Sequence, residues 1–265
     1  MLEVPGTWRG PMQTFSSNGV RIAYTDVAPE TGHGDAILLL HGFASNHAVN
    51  WVNTLWVTTL TRAGFRVIAF DNRGHGKSDK LYRPEDYETS IMADDARRLL
   101  DHLGIKSADV MGYSMGARIA AHLAIIDPPR VRSLLLGGLG IHLVHGVGLP
   151  LGIADAMEAA SLEELADPMQ RMFRAFAEQT KSDLAALAAC IRGSRQTLSE
   201  QEVASIRAPT LVAVGTTDTV AGSAHELVAL MPNARALDIP GRDHNLAVGD
   251  KVHKQGVLAF LSERP

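Results

Sequence analysis

The feature that most constrains this chain is a series of short runs that are almost wholly apolar. Ala36-Ile37-Leu38-Leu39-Leu40 is the purest, and Phe65 to Phe70, Val131 to Leu136 and Thr210 to Val214 follow it. A strand with one wet face alternates apolar and polar residues, so runs without that alternation must be covered on both faces. Between them lie segments with helical spacing. Met92, Ala96, Leu99 and Leu103 share one face, with Ser90 as the expected cap and Gly104 as the stop. Strands alternating with helices give an α/β fold with a mostly parallel sheet and helices on both faces. Eight strands are expected. Residues 13–27 alternate around Asn18-Gly19, a hairpin signal that adds an antiparallel edge. Runs near Asp109 and from Ala234 to Ile239 complete the set, and residues 250–262 read as a final helix. Residues 51–63, with Trp51, Leu55 and Leu60, read as one helix closed by Gly64.

The pattern changes from about Ile141 to Ile206, where only helical segments are expected. Ser161-x-x-Glu164 has the form of a capping box, and Asp167-Pro168 can start a helix carrying Met169, Met172, Phe173 and Phe176. Leu184, Leu187, Ala188 and Ile191 mark another apolar face. The expected organisation is a core domain from residues 1–140 and 207–265, with residues 141–206 inserted after the sixth strand as a small helical cap. The cap would cover the C-terminal edge of the sheet, where open α/β sheets bind ligands.

Bulk properties remove several function classes. The net charge is −4 and no basic run stands out, so nucleic acid and anionic membrane are not expected partners. The longest apolar runs are far too short to span a bilayer. Met1 to Gly6 has neither the basic nor the apolar region of a secretion signal, and Cys190 is the one cysteine. A cytoplasmic location is the expectation, with the oligomeric state left open.

The chemistry centres on Gly112-Tyr113-Ser114-Met115-Gly116, between an apolar strand and a helix. In this G-x-S-x-G turn the serine sits on a strained corner with its hydroxyl above the sheet. With 24 glycines in the chain, the motif alone is weak. A serine hydroxyl needs a base, and the base needs an orienting acid. Asp218 lies three residues past Gly215 at a strand end, and His244 lies three past Gly241 after the last strand. Of the 11 histidines, His102, His122, His225 and His253 fall inside helices, where packed or solvated roles are expected. Asp243 would have to fold back on its own neighbour. Attack on a carbonyl also needs two backbone donors for the oxyanion. The N–H groups of Met115 and Phe43, the latter in His41-Gly42-Phe43, are the candidates.

His41-Gly42-Phe43, Asp71-Asn72-Arg73-Gly74-His75-Gly76-Lys77-Ser78, the Ser114 turn, Asp218 and His244 together resemble the α/β-hydrolase superfamily. The likeness covers nearly the whole chain and is greatest for the branch of small capped esterases, enol-lactonases and cofactor-free haloperoxidase-like proteins. It implies the α/β-hydrolase fold, serine-dependent acyl transfer, and a structural job for the loop from Asp71 to Ser78. The Met169, Met172, Phe173 and Phe176 cluster is expected mainly to pack the cap, and where it faces the pocket it would favour a small, partly apolar ester. Serine at the turn separates this chain from the haloalkane dehalogenase and epoxide hydrolase branches, which carry Asp there. The expected activity is carboxylic ester hydrolysis. The alternatives are lactone or polyester hydrolysis, perhydrolysis, and ligand binding on a catalytically silent scaffold. No cofactor and no metal are expected. Gly76-Lys77-Ser78 lacks the first glycine of a phosphate loop, Gly138-Leu139-Gly140 lacks the third glycine of a dinucleotide fingerprint, and His142-x-x-His145 has no third ligand nearby.

Overall fold

The structure is a computed structural model that describes residues 10–31, 34–146 and 149–264. Met1 to Gly6, read above for a secretion signal, lies outside the described residues. In chain order the elements begin with β1 (Gln13–Ser17), β2 (Val20–Val27), β3 (Ala36–Leu40), α1 (Trp56–Arg62), β4 (Arg66–Phe70) and α2 (Thr89–His102). They continue with β5 (Ala108–Tyr113), α3 (Met115–Ile126), β6 (Val131–Gly137), α4 (Gly152–Glu158), α5 (Pro168–Gln179), α6 (Leu184–Gly193) and α7 (Glu200–Ser205). The chain closes with β7 (Thr210–Gly215), α8 (Ala224–Ala229), β8 (Ala234–Ile239) and α9 (Lys251–Glu263).

The strands form one eight-stranded sheet in the order β1-β2-β4-β3-β5-β6-β7-β8. β1 and β2 pair antiparallel through the turn at Asn18 and Gly19, both at positive φ, and β2 pairs antiparallel with β4. Every other pairing is parallel. The apolar runs explain the layering. Leu38 and Leu40 face one cluster with residues of α2 and α3, while Ile37 and Leu39 face the other with residues of α1 and α9. Successive side chains point to opposite faces, so an unbroken apolar run supplies both cores at once.

All parallel strands therefore end on one rim. His41, Asp71, Ser114, Asp218 and His244 all follow strand ends there. The opposite rim is closed by charge: buried Asp109 accepts from Arg132 at 2.8 Å, Arg264 at 2.9 Å and Ser133 at 2.7 Å. Between β6 and β7 the described residues hold helices and turns and no strand. Phe173, Ala177, Leu187, Cys190 and Ile191 of this stretch join the cluster on the α2–α3 side.

Three local expectations change. The helix expected over residues 51–63 is broken: a π-helical turn spans Ala48–Val52, and α1 begins only at Trp56. Leu55 between them takes φ 65° and is 42% exposed. Trp51 and Trp56 are both fully buried, and a straight helix would turn positions five apart away from a common face. Ser90 lies inside α2 rather than at its cap, because Glu88 is the residue with extended ψ. Ser161 makes no cap bond; Glu164 instead accepts from Ala160 N at 3.3 Å. The reciprocal capping box is at α7, between Ser199 and Glu202. Asp167, Asp183, Ser223 and Asp250 cap α5, α6, α8 and α9 through their side chains.

Candidate active site

The Ser114 turn is built by close approach. A Cβ at Gly112 would stand 2.1 Å from the Gly116 carbonyl oxygen, and one at Gly116 would stand 2.0 Å from that of Leu40. Only glycine lets the two arms of the turn pass each other and the neighbouring strand. Between them Ser114 is held at φ 53°, ψ −114°, a conformation that costs an L residue about 1–3 kcal/mol. Its N–H donates to Gly137 O at 2.8 Å, which anchors the strained residue to β6. α3 then starts at Met115 with its free N–H groups beside the serine.

Three strand ends meet at this hydroxyl. Ser114 Oγ lies 2.9 Å from His244 Nε2, and His244 Nδ1 lies 2.8 Å from Asp218 Oδ2. With a carboxylate on the Nδ1 side, the imidazole carries its proton there, so Nε2 is free to accept from the serine hydroxyl. The Asp218 side chain is fully buried, and its other oxygen accepts from Val220 N at 2.8 Å and Ala221 N at 3.0 Å. Two backbone donors thus fix the carboxylate while its second oxygen orients the histidine. Asp243, the neighbour weighed above, accepts from the N–H groups of Asn245 and Leu246 and shapes the His244 loop instead.

Phe43 and Met115 both line the cavity at Ser114. The strand-end loop that carries Phe43 is tied on both sides of Gly42. Asn50 Oδ1 accepts from Gly42 N at 3.2 Å, and His41 Nδ1 donates to Gly42 O at 2.8 Å. His41 Nε2 accepts from Asn72 N at 3.0 Å, which fixes the neutral tautomer. Burial pushes the His41 imidazole down to about 4. A Cβ at Gly42 would sit 3.5 Å from Ser114 Cβ, so the loop lies directly against the serine.

The remaining histidines go elsewhere. His102 stacks on Phe15 at 5.3 Å, and His225 meets Asp238 on the surface. His253 is buried against Ala247 O, and His122 lies within α3; burial pulls both down to about 4. His142 donates to Val220 O and His145 faces Glu200, so the two do not converge. Among the described residues no group of three or more His, Cys, Asp or Glu is placed to hold a metal ion. The loop from Asp71 to Ser78 closes on itself. Asp71 accepts from His47 N, His47 Nδ1 and Lys77 N, and Ser78 Oγ donates to Asp71 O while accepting from Ala23 N.

Two residues at the site carry no motif. Tyr113 Oη donates to His244 O at 2.6 Å and holds the histidine loop over the serine from the strand below. Asn50 orders the Gly42 loop from the π-helical turn. Its Nδ2, like Ser45 Oγ, is buried without a partner among the described residues, beside a larger cavity that Ser114 and His244 also line. Tyr113 occupies a variable position of G-x-S-x-G, and Asn50 falls in a loop that matches no pattern, so only the folded chain reveals either role.

The fold finds its counterpart in known proteins. The family model described as alpha/beta hydrolase fold matches residues 35–154. A hydrolase from Pseudomonas aeruginosa PA01 superposes with a TM-score of 0.78 at 27% identity, covering 95% of this chain and 98% of that one. The chain has the α/β-hydrolase fold. The enol-lactonase from Burkholderia xenovorans LB400 shares the fold, with a TM-score of 0.74 at 20% identity over 95% of this chain and 100% of that one. By sequence, Epoxide hydrolase 2 of Siraitia grosvenorii is 33% identical over 132 residues, which is 50% of this chain and 39% of the relative. The matched segments span between 20% and 54% of the length of the first curated relatives.

Proposed function

We propose that this α/β-hydrolase cleaves carboxylic esters through an acyl-serine intermediate. The observation that carries the reading is the unbroken hydrogen-bond chain from Ser114 Oγ through His244 to Asp218, at 2.9 and 2.8 Å. Ser114 Oγ forms a bond to the carbonyl carbon as His244 Nε2 takes its proton. The carbonyl oxygen becomes an oxyanion, received by the N–H groups of Phe43 and Met115. His244 passes the proton to the departing alkoxide, which leaves as the alcohol. Water then attacks the acyl-Ser114 carbonyl, again losing its proton to His244; the bond to Ser114 Oγ breaks, His244 returns the proton to Oγ, and the acid departs. Asp218 remains ionised throughout and holds the imidazole in the tautomer that the first step needs.

Serine at the turn favours this chemistry over that of the epoxide hydrolases to which the chain is similar in sequence, because the resembling epoxide-opening branch carries a carboxylate at that position. Residues 141–206 act in this reading as a cap. Phe173 and Phe176 of α5 bound the cavity at Ser114 and His244, which suits a partly apolar substrate arm. No helix among the described residues is long and apolar enough to cross a membrane. The test is hydrolysis of 4-nitrophenyl butyrate together with labelling by a fluorophosphonate probe. The wild type is expected to turn over the ester and to carry the label on Ser114, and Ser114→Ala to do neither. Turnover by Ser114→Ala at the wild-type rate, or an unlabelled wild type, overturns the reading.

A further inference from the structure

The space at Ser114 has two lobes that differ in size and charge. The broad lobe, with about 400 Å³ open to a molecule the size of water, is bounded by Phe173, Phe176, Asn50 and His244. The narrow lobe has about 40 Å³ and shares only Phe43 and Ser114 with the broad one. That is room for a compact polar group rather than a bulky one. Its walls include Leu139, Ile191, Arg118 and Arg195, and no acidic side chain.

The two guanidiniums come from different parts of the fold. Arg118 sits one helical turn past Ser114 on α3, and its N–H bonds back to Ser114 O. Arg195 follows α6, in the stretch between β6 and β7. Among the described residues Arg118 donates to four backbone carbonyls, those of His142, Leu143, Gly146 and Gln196. Arg195 donates to one, that of Leu149. Neither meets a carboxylate among the described residues. Elsewhere the buried arginines Arg73 and Arg174 are each paired with an acid. Arg118 is 4% exposed, and burial with the Arg195 charge nearby pulls its guanidinium down to about 10. Arg195 is likewise lowered by burial.

A partly desolvated cation without a counter-ion is costly, and an anion delivered to it in the right geometry recovers that cost. The four carbonyl bonds of Arg118 give it a structural job at the start of the helical stretch. Arg195 has one such bond, and its remaining donors have no protein partner among the described residues. A planar guanidinium matches a carboxylate with two parallel hydrogen bonds. We propose that the narrow lobe is a carboxylate subsite, so that the preferred ester carries a free carboxylate on the arm that enters beside Arg118 and Arg195. This rests on the ester-hydrolase reading and names its substrate class.

The experiment compares monomethyl adipate with dimethyl adipate, which differ by one negative charge. The wild type is expected to show a kcat/KM at least about tenfold higher for the monoester acid, expressed mainly in KM. Arg195→Gln is expected to abolish the preference and Arg195→Lys to restore part of it. Arg118→Gln is less informative, because it also removes four backbone bonds. A wild type with no preference, or a preference that survives Arg195→Gln, overturns the subsite. The ester-hydrolase reading fails separately, if neither ester is turned over. Calorimetry with Ser114→Ala then decides the subsite alone. Monomethyl adipate should bind at least about tenfold more weakly once Arg195→Gln is added; equal binding in the two variants, or no binding in either, overturns it.

Discussion

Two glycine-rich loops leave the same rim of the sheet, from β4 and β5 on either side of β3, and they use their polar residues in different ways. After β4, the loop from Asp71 to Ser78 turns its polarity inward. The Asp71 carboxylate accepts from three donors, and Gly76 approaches so closely that a Cβ there would lie 2.1 Å from Asp71 Oδ2. After β5, the turn at Ser114 strains the backbone and points its hydroxyl at a single partner, His244. The first loop ties its Asp71 carboxylate and Ser78 hydroxyl to backbone groups and becomes scaffold, although Asn72 Oδ1 and His75 Nε2 lie buried without a partner among the described residues. The second leaves a strained backbone and one poised hydroxyl, and that is the condition for chemistry. Polar residues at a strand end are therefore read by the partners and the backbone strain the fold gives them, not by their identity.

That contrast can be broken or sharpened. Ser114→Ala should lower kcat for ester hydrolysis by about 10⁶-fold while leaving the melting temperature close to that of the wild type. Asp218→Asn should lower kcat by about 10⁴-fold, because the amide no longer fixes the required tautomer of His244. A loss under tenfold, measured by initial rates, would remove Asp218 from the role assigned to it. The scaffold loop should respond in the other coordinate. Asp71→Ala leaves the partly buried N–H groups of His47 and Lys77 without an acceptor and should cost about 3 kcal/mol of stability by urea unfolding. If its kcat collapsed at unchanged stability, the two loops would not differ as described.

Acid should find the scaffold as well. Burial holds His41 near 4 and His75 near 3, against 6.5 for a free imidazole. The unfolded chain then binds more protons than the native one at pH below about 6.5. Stability is full above that value and falls as the pH drops toward about 3 to 4. Burial pushes the Asp71 carboxyl up, but the His47 side chain and the other favourable contacts outweigh it and leave it lowered, so its contribution fades only at still lower pH. A melting temperature flat from pH 7 to 4 would contradict the neutral burial of these rings. The smallest effect is expected at the hinge between the two behaviours. Tyr113→Phe removes the bond to His244 O and should cost about 1 kcal/mol of stability, with a modest fall in kcat from the loosened histidine loop.

Much of the architecture was legible before folding, and the reasons are local. Strands buried on both faces must be apolar throughout, so β3 to β7 announce themselves, and Asn18-Gly19 fixes the hairpin register. The expected helix over residues 51–63 failed at Leu55 because the burial of Trp51 and Trp56 outweighs helical continuity. Ser161 and Glu164 have the spacing of a capping box but not the backbone that would join them. Ser199 and Glu202 have both.

By itself, the sequence determined the order in which serine, acid and base candidates follow successive strand ends, since a parallel sheet puts every such end on one rim. Their meeting at 2.9 and 2.8 Å was decided by the tertiary structure. So were the anchoring of His244 by Tyr113, the tether from Asn50, and the convergence of Arg118 and Arg195 on one narrow lobe. These depend on distances between residues far apart in the chain, and on which polar groups the fold leaves unsatisfied. Neither quantity exists until the two layers close on the sheet.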